Sequence, residues 1–234
     1  MGSIVVRHYQ PRDRSMVRQI AWDTAYRGAP AAVFFESEEF LKDLLTGYFT
    51  DYEPESCFVA ESDNTIVGYL LGCRDSARLD RVSMRRIAPR LIGQLACRDV
   101  LLRAKNLRFG LHMLTSLTRG EFTAPDLSRA YPGTMHINIA EGFRRIGAGT
   151  RLMSSFLTYL KEFRIPGVRL ATYSQEAGAF FERSGFTLVF QKTRTYFKYI
   201  TGRDISVYIY AKKLEKHRDG SLQNIGTVLE ENRP

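Results

Sequence analysis

The stretch INIAEGFRRIGAGTRL, residues 137–152, contains the features that decide the fold of this chain. A β-branched run at 135–139 predicts a buried strand, and a turn with paired arginines and spaced glycines follows it. A helix is predicted next, because apolar residues recur at three- and four-residue spacing: Leu152, Met153, Phe156, Leu157 and Leu160. Such a turn leaves N–H groups unpaired at the positive end of a helix dipole, so this stretch predicts a phosphate-binding site.

Two common phosphate-binding classes are excluded by single residues. A nucleoside-triphosphate loop ends in Gly-Lys-Ser/Thr, whereas here the corresponding residues are Gly149, Thr150 and Arg151. A dinucleotide fingerprint needs a third glycine where Leu152 stands, and an acidic residue about twenty positions later, where the chain has Arg169.

Charge is concentrated in one segment of the 234-residue chain. The net charge is +9, and residues 74–119 contain eleven Lys or Arg against three Asp, which gives +8 for that segment alone. The arginines make the predicted helices of 74–131 amphipathic and basic. Two interpretations stay open: a helical insertion whose arginines are merely solvated, or one that covers an acceptor site or an anionic partner.

The pattern along the chain alternates strands and helices and predicts one domain at 1–214, with 74–131 as an insertion and 215–234 as a flexible polar tail. The predicted strands are 4–7, 57–61, 65–72, 135–139, 168–172, 186–190 and 205–210. The predicted helices are 11–25, 37–48, two or three in 74–131 with breaks at Pro89, Gly93 and Gly110, then 150–163 and 175–183.

Two further features of the sequence bear on the cellular location of the protein. No apolar run approaches the length of a membrane span, and no cleavable signal is seen at 1–14. Cys57, Cys73 and Cys97 fit neither a disulfide framework nor a zinc motif, so we expect core cysteines, no metal and a cytoplasmic location.

Several motifs together resemble the Gcn5-related N-acetyltransferase (GNAT) superfamily. Arg144-x-x-Gly147-x-Gly149 matches its Gln/Arg-x-x-Gly-x-Gly/Ala signature, with the apolar Ile139 five residues earlier. The stretch FFERSGF at 180–186 is similar to its aromatic-Tyr-Glu-Lys/Arg-x-Gly-Phe element. The segment from Tyr131 to Asn138 also resembles the GNAT-like domains related to the C-terminal part of O-GlcNAcases.

This resemblance implies an α/β fold, a mixed sheet of about seven strands splayed between the fourth and fifth strands, with the helical insertion between strands three and four. It also implies acetyl-CoA as co-substrate, with pyrophosphate on the amides of 145–150 and the amide near Ile139 polarising the thioester. The cofactor-binding residues implied in this way are Ile137, Ile139, Arg144, Arg145, Ile146, Gly147, Ala148, Gly149, Thr150, Ser174, Gly178 and Phe181.

The customary catalytic groups of the resembling family are replaced. Phe181 stands in place of the tyrosine that usually acts as acid, and Met135 and Gly133 stand at the usual base positions. His136 and Glu61 are the substitute bases, while Tyr173 and Tyr196 are the substitute acids. Strict alternation points His136 away from the Ile139 side, so a structural role competes with the catalytic one.

The favoured function is an acyl-CoA-dependent N-acyltransferase that acetylates a small-molecule or peptide amine by direct attack on the thioester. The alternative is a catalytically silent CoA-binding sensor or partner module. A third hypothesis is that the insertion binds nucleic acid or anionic lipid. Nucleic acid is opposed because Phe109 is the single aromatic residue among the arginines of 74–119. A homodimer is left open.

Overall fold

The computed structural model describes residues 3–97 and 100–214; the predicted tail at 215–234 lies outside them. Its strands are β1 Val5–His8, β2 Cys57–Ser62, β3 Thr65–Cys73, β4 Gly133–Ile139, β5 Gly167–Thr172, β6 Thr187–Arg194 and β7 Ile205–Lys213. Its α-helices are α1 Arg14–Thr24, α2 Glu38–Tyr52, α3 Ser76–Val82, α4 Ala88–Cys97, α5 Ala104–Thr118, α6 Ala148–Glu162, α7 Gln175–Arg183 and α8 Lys198–Thr201.

The strands form one mixed sheet in the order β1-β2-β3-β4-β5-β7-β6. The β2–β3 hairpin turns at Asp63 and Asn64, whose positive φ values of 48° and 58° suit a tight turn between twisted strands. β4 and β5 run parallel because α6 carries the chain back across the sheet, and the other neighbouring pairs are antiparallel. The predicted α/β class and mixed sheet are confirmed.

Helices cover both faces of this sheet. On one face α6 buries Phe156 with no exposed surface against strand residues such as Leu70 and Val168. Gly72 of β3 is required there, since a Cβ at that position would lie 2.2 Å from Cε2 of Phe156. On the other face α1 and α2 cover a second apolar cluster that includes Tyr69 and Leu71.

The basic insertion consists of α3, a π-helical stretch Ser83–Ile87, α4 and α5. The predicted breaks at Pro89, Gly93 and Gly110 are wrong, because all three residues lie inside helices. Pro89 directly follows the π-helical stretch, where the hydrogen-bond pattern has shifted to bonds such as Ala88 N–H to Ser83 O, and the helical run continues through the proline. Each glycine costs about 1 kcal/mol of helix stability relative to alanine, which tertiary packing overrides.

A buried carboxylate fixes the beginning of the insertion to the sheet. Glu53 is 1% exposed and accepts hydrogen bonds from Tyr48 Oη at 2.8 Å and Ser56 Oγ at 2.7 Å. Arg74, the first residue after β3, donates to the same carboxylate through Nε at 3.1 Å. The charge of Glu53 is therefore paired and hydrogen-bonded, as burial requires.

Two further expectations can be compared with the structure. Cys57 and Cys73 are fully buried, and burial raises the pKa of the Cys73 thiol to about 12, so both behave as core residues. The side chain of Cys97 lies outside the described part of the structure. The final antiparallel pair is longer than predicted: β6 extends beyond Phe190 to Arg194, and β7 extends to Lys213. None of the described helices is both long and apolar enough to cross a membrane.

Candidate functional site

The sheet opens between β4 and β5. Only Gly133 and Thr134 of β4 pair with β5, opposite Val168 and Arg169. On its other side β4 stays paired with β3 as far as Ile139. The strands therefore separate beyond Thr134 and leave a gap in the middle of the sheet.

The main chain of β4 offers hydrogen-bonding groups to this gap. Ala140 N–H donates to Val67 O at 2.9 Å. Because successive N–H groups of a strand point to opposite sides, this bond shows which N–H groups of β4 face β3. The N–H groups of Ile137 and Ile139 consequently point away from β3 and toward the gap. Their side chains pack against the apolar cluster under α6.

The turn between β4 and α6 forms what we call the phosphate cradle, the six amides of residues 145–150. Arg145 and Gly147 have positive φ values of 66° and 88°, which turns successive N–H groups toward one concave side. Within residues 3–97 and 100–214, no acceptor lies in hydrogen-bond range of these six amides. They coincide with the start of α6, where the helix dipole favours an anion.

Gly149 lies where the cradle meets the opposite wall of the gap. A Cβ at Gly149 would be 3.5 Å from Cζ of Phe180 and 3.9 Å from Cδ1 of Ile137. The structure thus brings the first turn of α6, strand β4 and helix α7 together around one narrow opening.

The remaining predicted cofactor residues on α7 have clear local roles. Ser174 caps the helix, its Oγ accepting from the N–H of Ala177 at 3.2 Å. Gly178 allows the helix to approach β7, because a Cβ there would lie 2.4 Å from Oη of Tyr210. Phe181 is 4% exposed and packs in the core.

Arg144 links the cradle turn to another part of the molecule. Its Nε donates to Ile139 O at 3.1 Å, and its Nη2 donates to Gly28 O at 2.9 Å in the turn after α1. The guanidinium therefore bridges the end of β4 and the α1–α2 connection.

His136 lies on the face of β4 that carries α1 and α2. Its ring is exposed to solvent and contacts the edge of Phe49, with ring centroids 5.7 Å apart. The surrounding protein disfavours the charged form and lowers the pKa of His136 below its ordinary value.

Glu61 has a partner that the sequence did not reveal. It lies on β2, with β3 between it and β4, and its Oε2 accepts from Arg7 Nε at 2.9 Å. Arg7 also pairs with Asp13 at 2.7 Å. The structure therefore places Glu61 in an ion-pair network at the β1–β2 edge and does not bring it to the gap.

Tyr173 follows β5 directly and meets Tyr196 from the β6–β7 connection. Tyr196 Oη donates to Tyr173 Oη at 2.8 Å. Burial, and next the neighbouring Tyr173, raise the pKa of Tyr196, so its hydroxyl stays protonated. Tyr173 accepts this hydrogen bond and keeps its own proton for another acceptor.

Comparison with solved structures gives a consistent result. The crystal structure of SsHAT aligns with a TM-score of 0.71 at 25% identity, covering 92% of this chain and 100% of that one. The yncA protein of Salmonella typhimurium, solved with its cofactor acetyl-CoA, aligns at 0.56 and 13% identity over 92% and 96% of the two chains. The polyamine N-acetyltransferase of Drosophila melanogaster aligns at 0.55 and 16% identity over 91% and 100%.

At 13% and 16% identity the last two likenesses establish the fold alone. No family model matches the chain, and no curated protein matches it.

Proposed function

We propose that the chain is a member of the Gcn5-related N-acetyltransferase superfamily and that it transfers an acetyl group from acetyl-CoA to an amine. The observation that carries the proposal is the combination of the gap between β4 and β5 with the phosphate cradle at its edge. Main-chain N–H groups at a helix start suit a pyrophosphate, and the gap suits an extended pantetheine arm.

The fit of acetyl-CoA can be judged from groups that lack partners. The six amides of the cradle and the N–H groups of Ile137 and Ile139 lie along one path, and every one of them can donate. Ile146, Ala148 and Thr150 contribute only main-chain atoms to the cradle, and the methyl group of Ala148 is buried in the core under α6. Acetyl-CoA, when bound, supplies an activated thioester as the acyl donor.

Residues of this chain would carry the remaining chemistry. The N–H of Ile139 donates to the thioester oxygen as negative charge develops there. His136 takes a proton from the incoming ammonium or amine, and its lowered pKa keeps the imidazole neutral near pH 7 and so able to accept one. Tyr173, held by Tyr196, gives a proton to the departing thiolate.

A silent CoA-binding module is the second candidate. The observation in its favour is Phe181, which stands at the family's usual acid position, lies in the core and has no proton to give. In that case acetyl-CoA binds at the cradle and no amine is acetylated.

The experiment measures thiol release from acetyl-CoA with a panel of primary amines, beside calorimetric binding of CoA. Amine-dependent thiol release that is lost in Gly147→Val supports the transferase. The matched control is Gly142→Val, a nearby exposed turn position where a Cβ meets nothing within 4 Å. CoA binding without turnover of any amine would support the silent module instead.

A further inference from the structure

Arg194, the last residue of β6, is a buried cation without a partner. Its side chain is 7% exposed, and its Nε and Nη1 are buried and make no hydrogen bond within residues 3–97 and 100–214. In that described part no carboxylate lies within 4.0 Å of the guanidinium. A guanidinium is always charged, so leaving it desolvated and unpaired is costly.

A chain of side-chain contacts connects Arg194 to the end of β5, the strand that borders the gap in the sheet. Its guanidinium carbon lies 4.7 Å from the ring centre of Phe122, which stacks on Tyr196 at 5.7 Å. Tyr196 in turn hydrogen-bonds Tyr173 at the end of β5. We call these four residues, Phe122, Tyr173, Arg194 and Tyr196, the acceptor wall.

Neighbouring groups that could serve Arg194 are already engaged. Glu121 is 8% exposed, and its two oxygens accept from Thr195 N at 2.8 Å and Thr195 Oγ1 at 2.7 Å. Lys192, the nearby cation on the same strand, donates to Gly120 O at 2.7 Å and to Thr123. Arg194 is therefore the member of this group that retains donors for an external anion.

We propose that Arg194 binds a carboxylate on the amine acceptor, so that the substrate class is an amine carrying one carboxylate. This inference rests on the proposed acetyl transfer and specifies its second substrate. One unpaired guanidinium beside aromatic rings matches a single planar charge, whereas a phosphate dianion would leave an excess of buried negative charge. Tyr173, the proposed acid, joins this carboxylate site to the reaction through its hydrogen bond with Tyr196.

The test compares ω-amino acids of increasing length with alkylamines of the same length at saturating acetyl-CoA. We expect kcat/KM of the wild type to favour the amino acid of best length by about 100-fold. Arg194→Met should remove most of that preference, and Arg194→Lys should restore part of it because it keeps the charge. Arg203→Met, at an exposed arginine in the turn after α8, is the control and should keep the preference.

Several outcomes would overturn the inference. These are a wild type without preference for the carboxylate, an Arg194→Met enzyme that loses both substrate types equally, or a stronger preference for aminoalkyl phosphates. Thermal melting of each variant separates a folding defect from a lost contact. If Arg194→Met does not fold, the substrate preference of Arg194→Lys is compared with that of the wild type instead.

A binding measurement separates this inference from the transferase proposal. Calorimetry with the N-acetylated ω-amino acids, the products, requires no turnover. If no amine reacts but these carboxylates bind to wild type, more weakly to Arg194→Lys and not to Arg194→Met, the carboxylate site stands and the transferase proposal fails. If they do not bind, or bind all variants equally, the carboxylate site is wrong.

Discussion

The phosphate cradle and the acceptor wall differ in the kind of chemical group from which each is built. The cradle consists of main-chain amides from six consecutive residues, whereas the wall consists of four side chains from three separate places in the sequence. Consecutive amides leave a local pattern of glycines that a sequence shows directly. Side chains brought together by folding leave no such pattern. The phosphate cradle can therefore be predicted from the sequence, and the acceptor wall cannot.

The largest expected effect concerns the chemistry on the acceptor side. His136→Asn should lower kcat by roughly 100- to 10,000-fold, the usual contribution of a positioned base, and should leave the affinity for CoA unchanged. Steady-state kinetics with CoA calorimetry measure both quantities. Thr134→Val, on the same face of β4, is the matched control; a full kcat in His136→Asn would remove His136 from the reaction.

The next effect concerns the cradle alone. Gly147→Val places a β-branched residue at a φ of 88°, which costs on the order of 1–3 kcal/mol, so we expect CoA affinity to fall about 10- to 100-fold. Discrimination between acceptors should not change. If Gly147→Val binds CoA as tightly as the reference variant Gly142→Val, the cradle is not the pyrophosphate site.

Activity should also depend on pH through His136. The base must be neutral, so kcat/KM should rise with pH and level off above a midpoint that lies below the ordinary pKa of histidine. About tenfold is lost for each pH unit below that midpoint. Because the pKa is lower in the folded than in the unfolded chain, protonation also favours unfolding, and stability should fall as the pH falls through the ordinary value. A flat rate profile would argue against His136 as base.

The smallest effect is expected from the tyrosine pair. Tyr173→Phe should lower kcat less than tenfold, since a thiolate is a good leaving group without an acid. Tyr196→Phe should produce a smaller loss because Tyr196 acts through Tyr173. A larger loss in Tyr196→Phe than in Tyr173→Phe would reverse these two roles.

The parts of the fold that could be predicted depend on local signals. The hairpin turn at Asp63 and Asn64 and the strand-turn-helix around Gly147 are correct, because turn chemistry and apolar spacing act over a few residues. The breaks at Gly93 and Gly110 are wrong, since neighbouring helices stabilise what the local preference opposes.

The parts of the site that could not be predicted depend on distant partners. Glu61 is an acid at a strand end by sequence, and only the fold shows that Arg7 pairs with it. Arg194 lies beyond the predicted end of its strand, and nothing in its neighbours indicates burial against Phe122. Predicting either contact would require knowing which distant segments of the chain pack together in the fold.

Arg144 has a thermodynamic consequence for the two halves of the site. Its guanidinium holds Ile139 O beside the cradle and Gly28 O in the turn after α1, so a shift of either turn strains hydrogen bonds to the other. A ligand that displaces one turn therefore changes the free energy of the other, and linkage makes such coupling equal in both directions. We expect binding of acetyl-CoA at the cradle to change the stability of the turn after α1, and replacement of Arg144 to remove that coupling.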